Sequence, residues 1–89
     1  MTEKEKRELW NSKRELALTL GTYIKEYRTR RTKLIKLRTG QRKMEKLKNV
    51  EHAEAYAQSA QAELPLINVL LGEITTMQAM LRNLNELAA

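Results

Sequence analysis

The sequence predicts an all-α, dimeric protein: a long basic helix with two further helices, in a helical hairpin or three-helix bundle with coiled-coil-like packing. Three observations predict it. Lys, Glu, Leu, Ala and Arg dominate the 89 residues, with a single Pro and three Gly, a composition that favours long helices. Apolar residues recur at alternating three- and four-residue steps along most of the chain. The absence of Cys leaves helix packing and self-association as the sources of stability for a thin core.

The elements follow in order. Thr2 with Glu5 has the capping-box pattern, so a first helix begins near residue 3; Ser12 with Glu15 offers a second start. Leu9, Leu16, Leu20, Tyr23, Tyr27, Leu34 and Leu37 then form a seam close to a heptad, with Lys13 and Arg30 in its two gaps. Thr39-Gly40 is the expected stop, with Gly near the C′ position and Arg38 in the last turn. The first helix is thus expected at about 3–38.

A second helix is expected at about 41–63, with a stripe of Val50, Ala53, Ala57, Ala60 and Leu64 whose small residues admit a close neighbour. Pro65 suits the first turn of a third helix at about 65–88, or else kinks one long helix. Here Ile67, Leu70, Ile74, Met77, Leu81, Leu84 and Ala88 form an unbroken heptad seam. Leu66, Val69, Leu71, Met80 and Leu87 widen it beyond half the circumference, more than one neighbouring helix covers. The whole, 1–89, reads as one helical domain.

Charge is divided unevenly. Residues 1–50 carry 16 Lys/Arg and 6 Glu, a balance of +10; residues 51–89 carry one Arg and 5 Glu, a balance of −4. The stretch 25–48 alone holds 11 basic residues and two Glu. Such crowding of like charge gains from an anionic partner. The candidate contacts are Lys25, Arg28, Arg30, Arg31, Lys33, Lys36, Arg38, Arg42 and Lys43. On nucleic acid they would displace counterions and bind with little sequence information. The intervening Thr and Tyr hydroxyls would add phosphate contacts, and Tyr23 and Tyr27 would stack on bases if they were not core residues. Against an acidic protein surface or an anionic membrane the same charges would dock and steer; with no partner they form a solvated face that keeps a leucine-rich bundle soluble. The surplus apolar residues Leu66, Val69, Met80 and Leu87 are the candidate protein interface. Trp10 either staples the helix start or anchors a partner.

Other functions lack their residues. His52 is the only histidine and there is no Cys or Asp, so no metal set and no cofactor is expected. The Glu residues sit mostly beside Lys or Arg at helical spacing, as Glu3–Arg7 and Glu26–Arg30, which is a structural use. No Gly-rich phosphate loop and no nucleophile elbow is present, and no enzyme is expected. Arg14-Glu15-Leu16-Ala17, the later Lys-rich run and Gln78 resemble the small helical chorismate mutases, but that family needs a further N-terminal arginine on a longer first helix and an Asp-x-x-Arg-Glu cluster on the middle helix, where this chain reads Asn49-Val50-Glu51-His52-Ala53-Glu54-Ala55. A basic leucine zipper would need a continuous seam, which Gly40, the Ala stripe and Pro65 interrupt.

The charged start, Met1-Thr2-Glu3-Lys4-Glu5-Lys6, has no signal-peptide pattern. The most apolar run, Leu64 to Leu71, is far below a bilayer span. The sequence therefore leads to an expectation of a cytoplasmic homodimer without a transmembrane segment. Its expected role is a non-enzymatic adaptor, inhibitor or assembly factor docking another protein, one acting on nucleic acid included. The alternative is a dimeric nucleic-acid-binding protein gripping phosphates with residues 25–48.

Overall fold

The computed structural model describes residues 1–88 and contains two helices, α1 (Glu3–Lys46, 44 residues) and α2 (Val50–Ala88, 39 residues). At about 1.5 Å per residue α1 alone is about 66 Å long, close to the 68 Å longest dimension of the molecule, whose other extents are 15 and 14 Å. The protein is an antiparallel hairpin, a rod two helices thick.

The first of the two candidate starts is used. Thr2 Oγ1 accepts from the Glu5 N–H at 3.1 Å, and the Thr2 hydroxyl donates to the Glu5 carboxylate at 3.2 Å. This meets one of the orphan donors of the first turn. Ser12 lies inside the helix.

The expected stop at Thr39-Gly40 does not occur, and this corrects the three-helix reading. Gly40 continues α1, and the ring of Tyr56 lies over it: a Cβ on Gly40 would sit 2.7 Å from Tyr56 Cε1. Its missing side chain serves close packing of α2, not termination. The chain turns instead at Leu47-Lys48-Asn49. Lys48 takes the left-handed conformation (φ 57°); its N–H donates to the Glu45 carbonyl at 3.0 Å, and the Asn49 N–H donates to the Met44 carbonyl at 2.9 Å. Those two bonds make a Schellman motif with Lys where Gly is usual. Asn49 then caps α2, its Oδ1 accepting from the His52 N–H at 3.2 Å and its carbonyl accepting from the Ala53 N–H at 3.0 Å.

The third helix is the continuation of the second. Pro65 sits inside α2, on its exposed side, where the carbonyl at position 61 that loses its donor faces water. One seam therefore runs the length of α2. Ala53, Ala60, Ile67 and Ile74 are buried at seven-residue intervals, with Glu63 and Leu70 buried between them. Tyr56, Met77, Leu81 and Leu84 extend it half-buried. Of the stripe expected on 41–63, Val50 is exposed and Ala57 and Leu64 are half-buried. The side chain of Ala88, last of the expected seam, lies outside the described residues. The seam of α1 is the expected one: Leu9, Leu16, Leu20, Tyr23, Tyr27, Leu34 and Leu37 are half-buried, as are Lys13 and Arg30 in its gaps.

Gly40 gives a direct test of this packing. A helix-interior Gly→Ala change gains about 1 kcal/mol where space is open, and nothing lies within 4 Å of a Cβ built on Gly21. Gly21→Ala is therefore expected to raise the melting temperature. Gly40→Ala must displace the Tyr56 ring and is expected to lose about 1–2 kcal/mol net through overpacking. In a Tyr56→Ala background the same change should become stabilising, and thermal melts of the four chains form the cycle that checks it.

Candidate interaction surfaces

Folding back brings the basic stretch of α1 beside the first half of α2. Residues 25–70, the half of the rod nearest the turn, carry eleven Lys/Arg against five Glu; the remaining residues carry six against six. The whole net charge of +6 thus resides at one end of the rod, and the open end is neutral.

Within the basic half the nine candidate cations divide into two groups. Lys25, Arg28, Arg31, Lys36, Arg38, Arg42 and Lys43 are exposed, and among the described residues none has a carboxylate within 4.0 Å. The guanidinium of Arg31 lies 5.8 Å from the centre of the Tyr27 ring. Arg30, half-buried, and Lys33, still exposed, are paired across the hairpin. Arg30 Nη1 is 3.1 Å and Lys33 Nζ 2.8 Å from the carboxylate of Glu63, and Arg30 Nε is 3.4 Å from Glu26.

Glu63 is only 5% exposed, at a seam position between Ala60 and Ile67. Burial alone would raise its pKa. The hydrogen bond from Lys33 outweighs that and, with the one from Arg30, holds the carboxyl below its ordinary range. The Arg30 guanidinium is in turn pushed up, chiefly by its hydrogen bond to Glu63.

The hydroxyls of this half are turned to local use. Thr29, Thr32 and Thr39 donate to the carbonyls of Lys25, Arg28 and Ile35 at 3.0, 3.0 and 2.8 Å, so their protons are spent on the helix backbone. Tyr23 and Tyr27 are half-buried on the α1 seam. Three cations, Arg28, Lys33 and Lys36, border a shallow outer groove of about 430 Å³ with Thr29 and Thr32.

Apolar side chains are set among these charges. Ile35, Leu47 and Val50 are each at least 60% exposed. Beside the turn a groove of about 540 Å³ has Val50, Ala53 and Ala57 in its wall, with Gln41, Glu45, Lys48 and Glu54 lining the rest. The sequence reading placed Val50 in a core stripe and gave no role to Ile35 or Leu47. The groove exists because α2 begins at Val50, directly after the turn, leaving that residue with no helix beyond it to cover it.

A second apolar surface runs along α2 from the edge of the basic half to the open end. Leu66, Val69, Met80 and Leu87 are 45% to 66% exposed. Their separations of three, eleven and seven residues put all four on one side of α2. Thr76 belongs to the same edge, as does Glu73. Thr19 and Tyr23 of α1 border it across a groove of about 600 Å³ with Val69, Gly72, Glu73, Thr76 and Met77. Trp10 is also exposed, with the Arg14 guanidinium 5.6 Å from its ring centre. By length and composition α2 also holds an 18-residue window, of mean hydropathy 1.3, apolar enough to cross a membrane; in the hairpin its inner seam lies against α1.

Among the described residues no three His, Cys, Asp or Glu side chains come together as a metal set, and His52 is exposed. Glu63 was absent from the sequence reading as a buried group. The signal for it was its place on the heptad step from Ala60 to Ile67, where an apolar residue belongs. No protein-family model matches the sequence, and no curated protein or solved structure is significantly similar to it.

Proposed function

We propose that this chain is a non-enzymatic interaction protein whose turn end docks an acidic segment of a partner protein that carries at least one apolar anchor. The observation that carries the reading is the apolar groove of Val50, Ala53 and Ala57 lying within the half of the rod that holds the whole net charge. An apolar centre with a charged rim is how a protein interface is built. Exposed Ile35 and Leu47 extend the same apolar contribution. The exposed cations supply steering and register.

Phosphate recognition uses less of what is there. It has no use for the apolar groove, and the three Thr hydroxyls donate to their own helix. Nucleic-acid binding, the alternative reading, is therefore the competing outcome of the test.

The test is fluorescence anisotropy with three labelled probes: a peptide alternating Glu and Leu, a poly-Glu peptide of equal length, and a short duplex DNA. At near-physiological salt the Glu/Leu peptide is expected to bind more tightly than poly-Glu. Val50→Glu is expected to weaken it at least about tenfold, the effect of losing one anchor of about 1.4 kcal/mol. Charge reversal belongs at Lys36 and Arg42, which leave the Glu63 cluster untouched. Tight duplex binding with a log–log salt slope of several phosphates, indifferent to Val50→Glu, would overturn the proposal in favour of the nucleic-acid reading.

A further inference from the structure

The hairpin lacks a second layer. No side chain in the described structure is fully buried, and α1 contributes no buried residue at all. A helix with one apolar stripe is satisfied by one neighbour; α2 has a covered seam and, beside it, the uncovered edge of Leu66, Val69, Met80 and Leu87. Domains become stable when such faces are closed by another layer.

The area says how large that layer is. The chain exposes 7088 Å². A compact folded chain of 10.4 kDa exposes about 5,400 Å² by the usual size scaling, so roughly 1,700 Å² is in excess. Two copies that cover this excess on each other bury about 3,400 Å² in total, within the range of obligate homodimers. The α2 stretch that carries the edge, residues 66–87, holds one Arg against two Glu, so two copies approach there without the repulsion that the basic turn ends would bring.

We infer that the α2 edge is covered by the same edge of a second copy, running antiparallel, about a two-fold axis beside Thr76. The edge is self-complementary in that direction only. Antiparallel pairing centred between residues 76 and 77 sets Leu66 opposite Leu87 of the second copy and Glu73 opposite Met80 of the second copy. Parallel pairing sets Glu73 against Glu73, a like-charge contact at the middle of an apolar seam. A two-fold, isologous interface is also the commonest way to close such a contact.

The result is a four-helix assembly over the overlapping stretches of the two hairpins. The overlap of residues 66–87 is about 33 Å at helical rise. Two rods of 68 Å offset in this way make an assembly of about 100 Å, with a basic turn end at each extremity. That the ends would then act as a two-headed binder rests on the function proposed above; the association itself does not.

The test uses mass and cross-linking. Sedimentation equilibrium of the full chain is expected to give twice the mass of one chain at micromolar concentration. Leu66→Glu with Met80→Glu, both at exposed positions, is expected to return it to the mass of one chain while circular dichroism stays helical. Because the chain has no Cys, single thiols report the direction of pairing even if that double variant unfolds. Thr76→Cys alone is expected to form a disulfide-linked dimer under mild oxidation. Leu66→Cys alone should stay monomeric on a denaturing gel and cross-link only when mixed with Leu87→Cys. Single-chain mass at all concentrations, with no cross-link at Thr76→Cys, would overturn the dimer. Efficient self-linking of both Leu66→Cys and Leu87→Cys would overturn the antiparallel arrangement. Val50 lies at the other end of the rod, so either failure here leaves the peptide-binding test of the turn groove standing on its own.

Discussion

Ile67→Ala is expected to lower the free energy of unfolding by about 2–4 kcal/mol, the range for truncating a buried Ile or Leu to Ala. Ile67 lies near the middle of the α2 seam and is, among the described residues, one of five buried apolar ones, two of them already Ala. A thin core has few other contacts to share the loss, and total stability of a small domain is about 5–15 kcal/mol. The change therefore removes a large fraction of it. Ile35→Ala deletes the same atoms from an exposed position and is expected to cost less than about 0.5 kcal/mol. Urea unfolding followed by circular dichroism checks both, at one fixed protein concentration because self-association adds to apparent stability. Equal losses for the two variants would show that the Ala53–Ile74 seam is not the face that holds the hairpin together.

Much of that seam was legible beforehand, and what was not has identifiable causes. Periodicity found the α1 seam, including the awkward positions of Lys13 and Arg30, and found Ile67, Leu70 and Ile74. A repeat reports which side of a helix faces a neighbour, and it does so locally. The number of helices was misread because Gly40 and Pro65 are ambiguous locally. Gly40 resembles a C′ residue until Tyr56, sixteen positions on, is known to lie on it; that contact depends on where the chain turns. Pro65 resembles a first-turn residue until its place on the outer side of a continuous helix is known. The real turn has Lys48 in a left-handed conformation, a residue type that gives no turn signal. The basic surface was legible as a set. That Arg30 and Lys33 pair with Glu63 across the hairpin was not, since Glu63 is about thirty residues away and only the register joins them. This shifts the design of any binding test. Reversing Arg30 and Lys33 would unfold the cluster as well as remove charge, whereas Lys36 and Arg42 report on the surface alone.

Glu63 makes the hairpin sensitive to acid. Its carboxyl lies below the ordinary value when folded, held there by Lys33 and then Arg30 against the opposing effect of burial. In the unfolded chain it returns to about 4.3. The unfolded state then binds more protons than the folded one, so stability from this group is fully present above the unfolded value. It is lost as pH falls from there through the depressed folded value. The raised value of Arg30 has the opposite sign and acts only where Arg itself would deprotonate, far above any working pH. Urea midpoints are therefore expected to fall as pH is lowered below about 5, and the fall should be shallower in Glu63→Gln. Parallel profiles for the two chains would mean that the cluster is not formed in solution. The same cluster separates two kinds of substitution. Glu63→Leu alone is expected to destabilise the fold strongly, because it leaves the half-buried Arg30 guanidinium facing the seam with only Glu26 at 3.4 Å. Glu63→Leu together with Arg30→Leu removes both charges and continues the apolar seam between Ala60 and Ile67, and is expected to recover most of the loss or exceed the parent. Lys33, already largely exposed, then swings to solvent and joins the exposed cations around it. If the double variant were no better than Glu63→Leu, the Glu63–Arg30 pair would be required for the register of the two helices and not merely compatible with it.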